Sequence, residues 1–344
     1  MFGVRACSKY YMLGLDQITC LHVELTTRCN ARCPMCPRNY RGMDYNSGYP
    51  EVELDLDKFK QIFKPDFLRQ ITSIDFNGNL GDCSLASDLV DILQYIYESS
   101  ESSVNLTTNA STRTPEWWAS LAHPRLTIIF DLDGLNDTHS LYRLDTNWNK
   151  IIRNACAFIQ NGGSAVWKMI IFDHNLHQIK ECESLSKELG FKVFWPLDQG
   201  RNQGPVFDRH GKLSHWLGDN DGSAPQVHEM LESHLTWFDS KPSSEWGLGN
   251  KEKCSINCQH IKNKELYVAA DGSVYPCCFL GFFPGKMSHP GNSQLAKIVK
   301  ENNALEHDLE HCIQWFNQVE ESWKLESVDQ GKIYGCIISC GVTQ

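Results

Sequence analysis

The stretch TTRCNARCPMCPRNY holds three thiols, Cys29, Cys33 and Cys36, in the order C-x3-C-x2-C. Thiolates this close together can hold a soft metal or do redox chemistry. A second group lies far downstream. It comprises Cys254, Cys258, Cys277 and Cys278, with Cys336 and Cys340 near the end of the chain. Cys7, Cys20, Cys83, Cys156, Cys182 and Cys312 are scattered, and scattered thiols mostly serve as small buried hydrophobes.

The chain has 344 residues, 41% of them hydrophobic, enough for a large domain or a large one with a smaller companion. Its formal net charge of −10 and the lack of a basic run argue against a nucleic-acid partner. No apolar run is long enough to span a bilayer, so no membrane role is expected. The first 25 residues, with Arg5, Lys9, Asp16 and His22, lack the layout of a signal peptide. A cytoplasmic location follows as an expectation. Structural disulfides are rare in reducing cytosol, so the clustered cysteines point to metal or redox chemistry.

The elements that must position these thiols alternate. ITCLHVELT (18–26) is β-branched and roughly alternating, a strand signal, and the first cysteine loop follows it directly. LDKFKQIFKPDFL reads as an amphipathic helix interrupted near Pro65. QITSIDFNG, SVNLTTNA, RLTIIFDLDG, SAVWKMIIF and KVFWPLD read as further strands. Helices fall between them, one starting with Thr114 as N-cap and Pro115 at its first position. This strict alternation predicts an α/β fold with a parallel sheet, a full barrel or an open partial one. Functional residues are then expected in the loops after the carboxyl ends of the strands.

A structural zinc site normally has four protein ligands. Three cysteines on one loop at a barrel mouth suggest instead an iron–sulfur cluster with one iron left open. At this point the sequence resembles the radical S-adenosylmethionine (SAM) enzymes, whose hallmark is C-x3-C-x2-C after the first strand of a partial (β/α)6 TIM-like barrel. The resemblance implies a [4Fe–4S] cluster on Cys29, Cys33 and Cys36, with SAM chelating the fourth iron. Electron transfer into SAM then yields a 5′-deoxyadenosyl radical that abstracts hydrogen from an unactivated C–H bond. It further implies cofactor contacts from Gly81 and Asp82 (FNGNLGDCSL, in place of Gly-Glu), from Asn109 (TTNAS), and from Asp131, which stands where relatives have a serine near the ribose. Asp133, before Gly134, reads equally as a structural turn carboxylate. Lys168 and Trp167 on the fifth strand are candidates to face inward, although a solvated lysine is the ordinary case. Arg143, beyond the fourth strand, offers a rigid fork of donors for a substrate carboxylate or carbonyl. The alternative is a surface arginine paired with Asp137 or Asp145.

The C-terminal third changes character. Residues 199–250 are rich in Gly, Asn, Asp and Ser and read as a linker with short helices, such as QVHEMLESHLTWF. In KCSINCQHIKNKELYVAADGSVYPCCFLG, a hairpin signal (KELYVAA, DG, SVYPCC) separates Cys258 from Cys277. The spacing Cys258-x13-Gly272-x4-Cys277 resembles the SPASM/twitch extension of radical SAM enzymes. That resemblance implies a small α+β domain over 251–344 holding one auxiliary [4Fe–4S] cluster, after a barrel over 1–198. Its ligands would be Cys254, Cys258, Cys277 and Cys340, with Cys336 as the alternate and Cys278 as a bystander. A zinc site is the competing reading of this second group.

Such enzymes mostly modify ribosomally made peptides, so a precursor peptide is the leading substrate class, with epimerisation, cross-linking or backbone excision as the reaction. With about 17 residues before the first strand, a leader-binding domain is not expected within the chain. A separate small leader-binding protein or direct docking would serve instead, alongside an electron donor such as flavodoxin or ferredoxin. The alternatives are a dehydrogenase or mutase acting on a small molecule such as an aminosugar, and a non-catalytic metal-binding scaffold.

Overall fold

The computed structural model describes residues 13–44, 49–199, 204–218, 230, 248–281 and 290–342. The alternation is present. In chain order come β1 (Cys20–Val23), α1 (Leu56–Ile62), α2 (Pro65–Leu68), β2 (Ser73–Phe76), α3 (Leu89–Ser99), β3 (Ser103–Thr108), α4 (Pro115–Ser120), β4 (Leu126–Asp131), α5 (His139–Tyr142), α6 (Trp148–Gln160), β5 (Ser164–Ile170), α7 (Ile179–Glu188) and β6 (Val193–Leu197). Local chemistry sets several boundaries. The Asp55 side chain accepts from the Lys58 N–H at 3.0 Å and starts α1, and Pro65 at a first helical position divides α1 from α2. Asn147 caps α6 by accepting from the Lys150 N–H at 2.9 Å.

Strands β1 to β6 pair in parallel in sequence order. The face toward the helices carries Phe76, Ile128, Phe130 and Trp167, all fully buried. Each phenylalanine so buried contributes about 1.5–3 kcal/mol. On β4 and β5 the alternate residues, Asp131 and Lys168, turn to the other face. Trp167 and Lys168 therefore do not both face inward. The period of two sends Lys168 to the cavity, whereas Trp167 packs against Phe191 in the outer layer.

Residues 204–218, expected as linker, form a hairpin of β7 (Gly204–Phe207) and β8 (Leu213–Leu217) that buries Val206, Phe207 and Leu217. The helix expected over 226–238 falls outside the described residues except for Met230. Past the short strand β9 (Ser255–Ile256), the C-terminal hairpin comprises β10 (Glu265–Val268) and β11 (Val274–Tyr275), turning at Gly272 with φ +86°. Strand β10 pairs in parallel with β1, matching His22 to Tyr267, so the hairpin extends the barrel sheet and covers the β1 edge. Strand β12 (Gly341–Val342) returns to pair with β9. Among the described residues, no helix is long and apolar enough to cross a membrane.

Candidate functional site

The loop after β1 brings Cys29, Cys33 and Cys36 to one wall of a cavity of about 550 Å³ at the carboxyl ends of the strands. A turn from the Cys36 N–H to the Cys33 carbonyl (2.9 Å) shapes the loop, and the Asn39 side chain donates to the same carbonyl at 3.0 Å. Arg32 ties the loop to Asp145 at 2.7 Å. Burial drives all three thiols upward. Cys36 reaches about 11, and Cys33 is raised by burial although the Arg143 charge opposes it. The three cysteines line one cavity whose wall, among the described residues, holds no fourth cysteine. That donor set fits a cluster with one open coordination position better than it fits a closed zinc site.

The remaining wall comes from the ends of β2 to β5. Asn109, after β3, donates from its side chain toward Cys29 Sγ at 3.7 Å and to Asn30 Oδ1 at 3.1 Å. Asp82 lines the cavity too, but its carboxylate is already engaged. It accepts from Ser84 N–H (3.0 Å), Ser84 hydroxyl (2.6 Å), Thr108 hydroxyl (2.8 Å) and Asn109 N–H (2.7 Å). It thus staples the β2 loop to the end of β3, a positioning task that the shorter side chain can reach. Gly81 is needed for close approach, since a Cβ there would overlap the Thr26 carbonyl. Gly81→Ala should therefore cost more than about 4 kcal/mol, read from chemical denaturation. An unchanged unfolding midpoint would mean that this loop can leave the Thr26 backbone freely.

Arg143 is neither on the surface nor paired with Asp137 or Asp145. It is only 8% exposed, donates from Nε to Asp133 at 2.6 Å, and places Nη2 3.2 Å from Asp131. Its Nη1 lies 3.9 Å from Cys33 Sγ. Burial opposes its charge, yet the two carboxylates hold its pKa well above the ordinary value. Lys168 completes the group at 2.6 Å from Asp131. Asp133 is structural as well, because its other oxygen accepts from the Ile170 N–H at 2.6 Å. The expected partners are used elsewhere: Asp145 by Arg32, and Asp137 by Gln178.

Sequence reasoning missed Glu24. It is buried just past β1, accepts from the Leu80 and Gly81 N–H groups at 2.7 and 2.8 Å, and is raised in pKa by burial. The Tyr267 hydroxyl donates to it at 2.9 Å, and Asn79 donates to that hydroxyl at 3.2 Å and to the Cys278 carbonyl at 2.9 Å. A lone carboxylate closing the apolar run directly before a cysteine loop was the available signal.

The second thiol group lies at the other end of that network. Cys258, Cys277, Cys336 and Cys340 surround a small cavity with Trp323. Burial pushes Cys336 up to about 12, opposed by contact with the Trp323 indole. Cys254 is not in this wall. It packs with Leu248, Val328 and Ile337, close to Cys336, which stands in the wall itself. Cys278, the expected bystander, is absent from the wall and lies beside His22.

No family model and no curated protein matches the chain. Solved structures do match in fold. Streptococcus suis SuiB bound to S-adenosylmethionine superposes with a TM-score of 0.51 at 15% identity, over 87% of this chain and 65% of that one. SuiB bound to the precursor peptide SuiA gives 0.51 at 15%, over 87% and 66%. A histidine-tagged anSMEcpe with bound AdoMet gives 0.53 at 16%, over 94% and 86%. The chain thus spans about two thirds of SuiB, and at these identities the likeness is one of fold.

Proposed function

We propose that this chain is a radical SAM enzyme that modifies a peptide. The observation that carries this reading is that Cys29, Cys33 and Cys36, three cysteines rather than four, line a cavity of about 550 Å³ at the sheet's carboxyl edge. Support comes from the fold shared with structures that hold S-adenosylmethionine, and from precursor peptide SuiA bound to one of them. In this reading Cys29, Cys33 and Cys36 hold a [4Fe–4S] cluster, and Cys258, Cys277, Cys336 and Cys340 hold an auxiliary one. The first cluster, when bound with SAM and reduced by a flavodoxin- or ferredoxin-like donor, supplies a 5′-deoxyadenosyl radical for hydrogen abstraction.

The chain's own residues then do three things. Glu24 fixes the backbone of the 78–81 loop through the Leu80 and Gly81 N–H groups, and that loop would help hold the methionine end of SAM. Arg143, held between Asp131 and Asp133 with Nη1 toward Cys33, would set a fixed positive charge beside the cluster loop, where it could meet the carboxylate of SAM or of a substrate. Asn109, Asp131 and Lys168 form a polar wall for the nucleoside. The strands hold these groups rigidly, which would position a bound substrate and exclude competing hydrogen donors from the cavity.

The test uses purified protein loaded anaerobically with iron and sulfide, then mixed with reductant, SAM and candidate precursor peptides. 5′-Deoxyadenosine should form, and the peptide mass should report the reaction: unchanged for epimerisation, two hydrogens lost for a cross-link, a backbone fragment lost for excision. Absence of 5′-deoxyadenosine would refute the radical reading. Its formation with product only from an aminosugar or another small molecule would refute the peptide.

A further inference from the structure

We propose that Glu301, His307 and His311 form a binding site for a divalent metal ion of the zinc class. One ligand atom from each of the three lies within 4.8 Å of the others. His311 Nε2 and Glu301 Oε2 are 2.9 Å apart, and the two imidazole rings stack with centroids 4.5 Å apart at 21°. A tetrahedral zinc with bonds of about 2.0–2.2 Å holds its ligand atoms roughly 3.3–3.5 Å from one another. The ligand atoms already lie near one another, and closing on one ion requires the two stacked rings to turn so that their in-plane lone pairs converge. Two imidazoles and a carboxylate suit zinc or nickel, whereas the chain's other metal-binding candidates are thiols.

The backbone around the three residues is braced. The Ala304 N–H donates to the Gly272 carbonyl at 2.8 Å, and the Val274 N–H donates to the Asn302 carbonyl at 2.8 Å, so the segment grips the turn of the β10–β11 hairpin. The Asn303 side chain adds a bond to the Asp271 carbonyl at 3.0 Å. Downstream, the His307 N–H donates to the Asn303 carbonyl at 3.0 Å, and Asp308 accepts from the His311 N–H at 2.8 Å. Glu301 adopts φ +45°, a left-handed conformation that an L-residue enters only when its surroundings impose it. The site is reachable from solvent, since the side chains of His311 and Glu301 are 38% and 65% exposed. An ion there would tie both ends of the 301–311 segment together and stiffen the hairpin that leads into Cys277.

Zinc alone is the probe. Protein loaded with iron and sulfide is dialysed against Zn²⁺, and the wild type is compared with the His307→Gln/His311→Gln double variant. The difference between them reads this site whatever the cysteines hold. The wild type should bind one more zinc per chain, at least about 100-fold more tightly than the double variant can. Zinc-edge X-ray absorption should give nitrogen and oxygen neighbours for that ion, and zinc should raise the melting temperature of the wild type alone. Glu301→Gln, a change at an exposed side chain, should weaken the binding at least about tenfold and guards against misfolding of the double variant. Equal zinc in the wild type and Glu301→Gln, or sulfur neighbours for the extra ion, would reduce the group to an ordinary His–Glu pair.

Discussion

Replacing Cys29, Cys33 and Cys36 together by Ala should remove about half of the roughly eight irons per chain that two four-iron clusters would hold. It should also lower 5′-deoxyadenosine formation to background. Both outcomes follow from geometry. The three thiols stand on a single loop and share one cavity, while the second thiol group is built from chain beyond residue 257 around a separate cavity. Loss of the first set should therefore leave the second intact. Folding should survive, because the loop is also held by the Arg32–Asp145 pair, by Asn39 and by the Asp82 N–H bond to the Arg28 carbonyl. Iron analysis, circular dichroism and chromatography of the nucleoside product check the three statements. Stoichiometric zinc with no iron in the wild type, or undiminished cleavage in the triple variant, would sink the radical reading.

What was legible in the sequence was local. Capping by Asp55, Thr114 and Asn147, the Pro65 break and β-branched runs are decided within a few residues, so the alternation could be read directly. The first cysteine loop was legible for the same reason. The other features depend on chain segments far apart in sequence. Glu24 gains its role from Tyr267, and the β1 edge gains its cover from β10; neither pairing has a spacing signal. Arg143 lay within reach of several carboxylates, and the direction of one side chain decided which it met. The sequence-based choice of Asp137 or Asp145 counted nearby charges but could not see that the loop turns inward. Residues 204–218 were read as linker because Gly, Asp and His at the turn mask two short strands. The pairing of His307 with His311 has no helical signal in the sequence, because His307 lies before the helix that carries His311 begins.

The placement of Cys336 in the wall of the small cavity, with Cys254 outside it, sets the second large prediction. Cys254 and Cys258 share the spacing of Cys336 and Cys340, so spacing alone cannot choose between the four. Tertiary packing does. The helix Tyr334–Cys340 packs against the segment that follows Cys277, turning Cys336 into the small cavity with Cys258, Cys277 and Cys340. Cys254 lies behind this group among apolar side chains, and its carbonyl accepts from Lys332 Nζ at 2.7 Å. Cys336→Ala should thus lower the iron from about eight to about four per chain and leave the barrel cluster able to cleave SAM. Peptide product should fall to background, because a substrate or an electron that depends on the auxiliary site has lost it. Cys254→Ala should retain the full iron content and most of the product, at a stability cost of about 1 kcal/mol for the atoms removed. Iron quantification, 5′-deoxyadenosine yield and peptide mass, measured side by side on the two variants, decide the matter. Iron lost from Cys254→Ala and kept in Cys336→Ala would return Cys254 to the ligand set and mean that the helix Tyr334–Cys340 turns when metal binds.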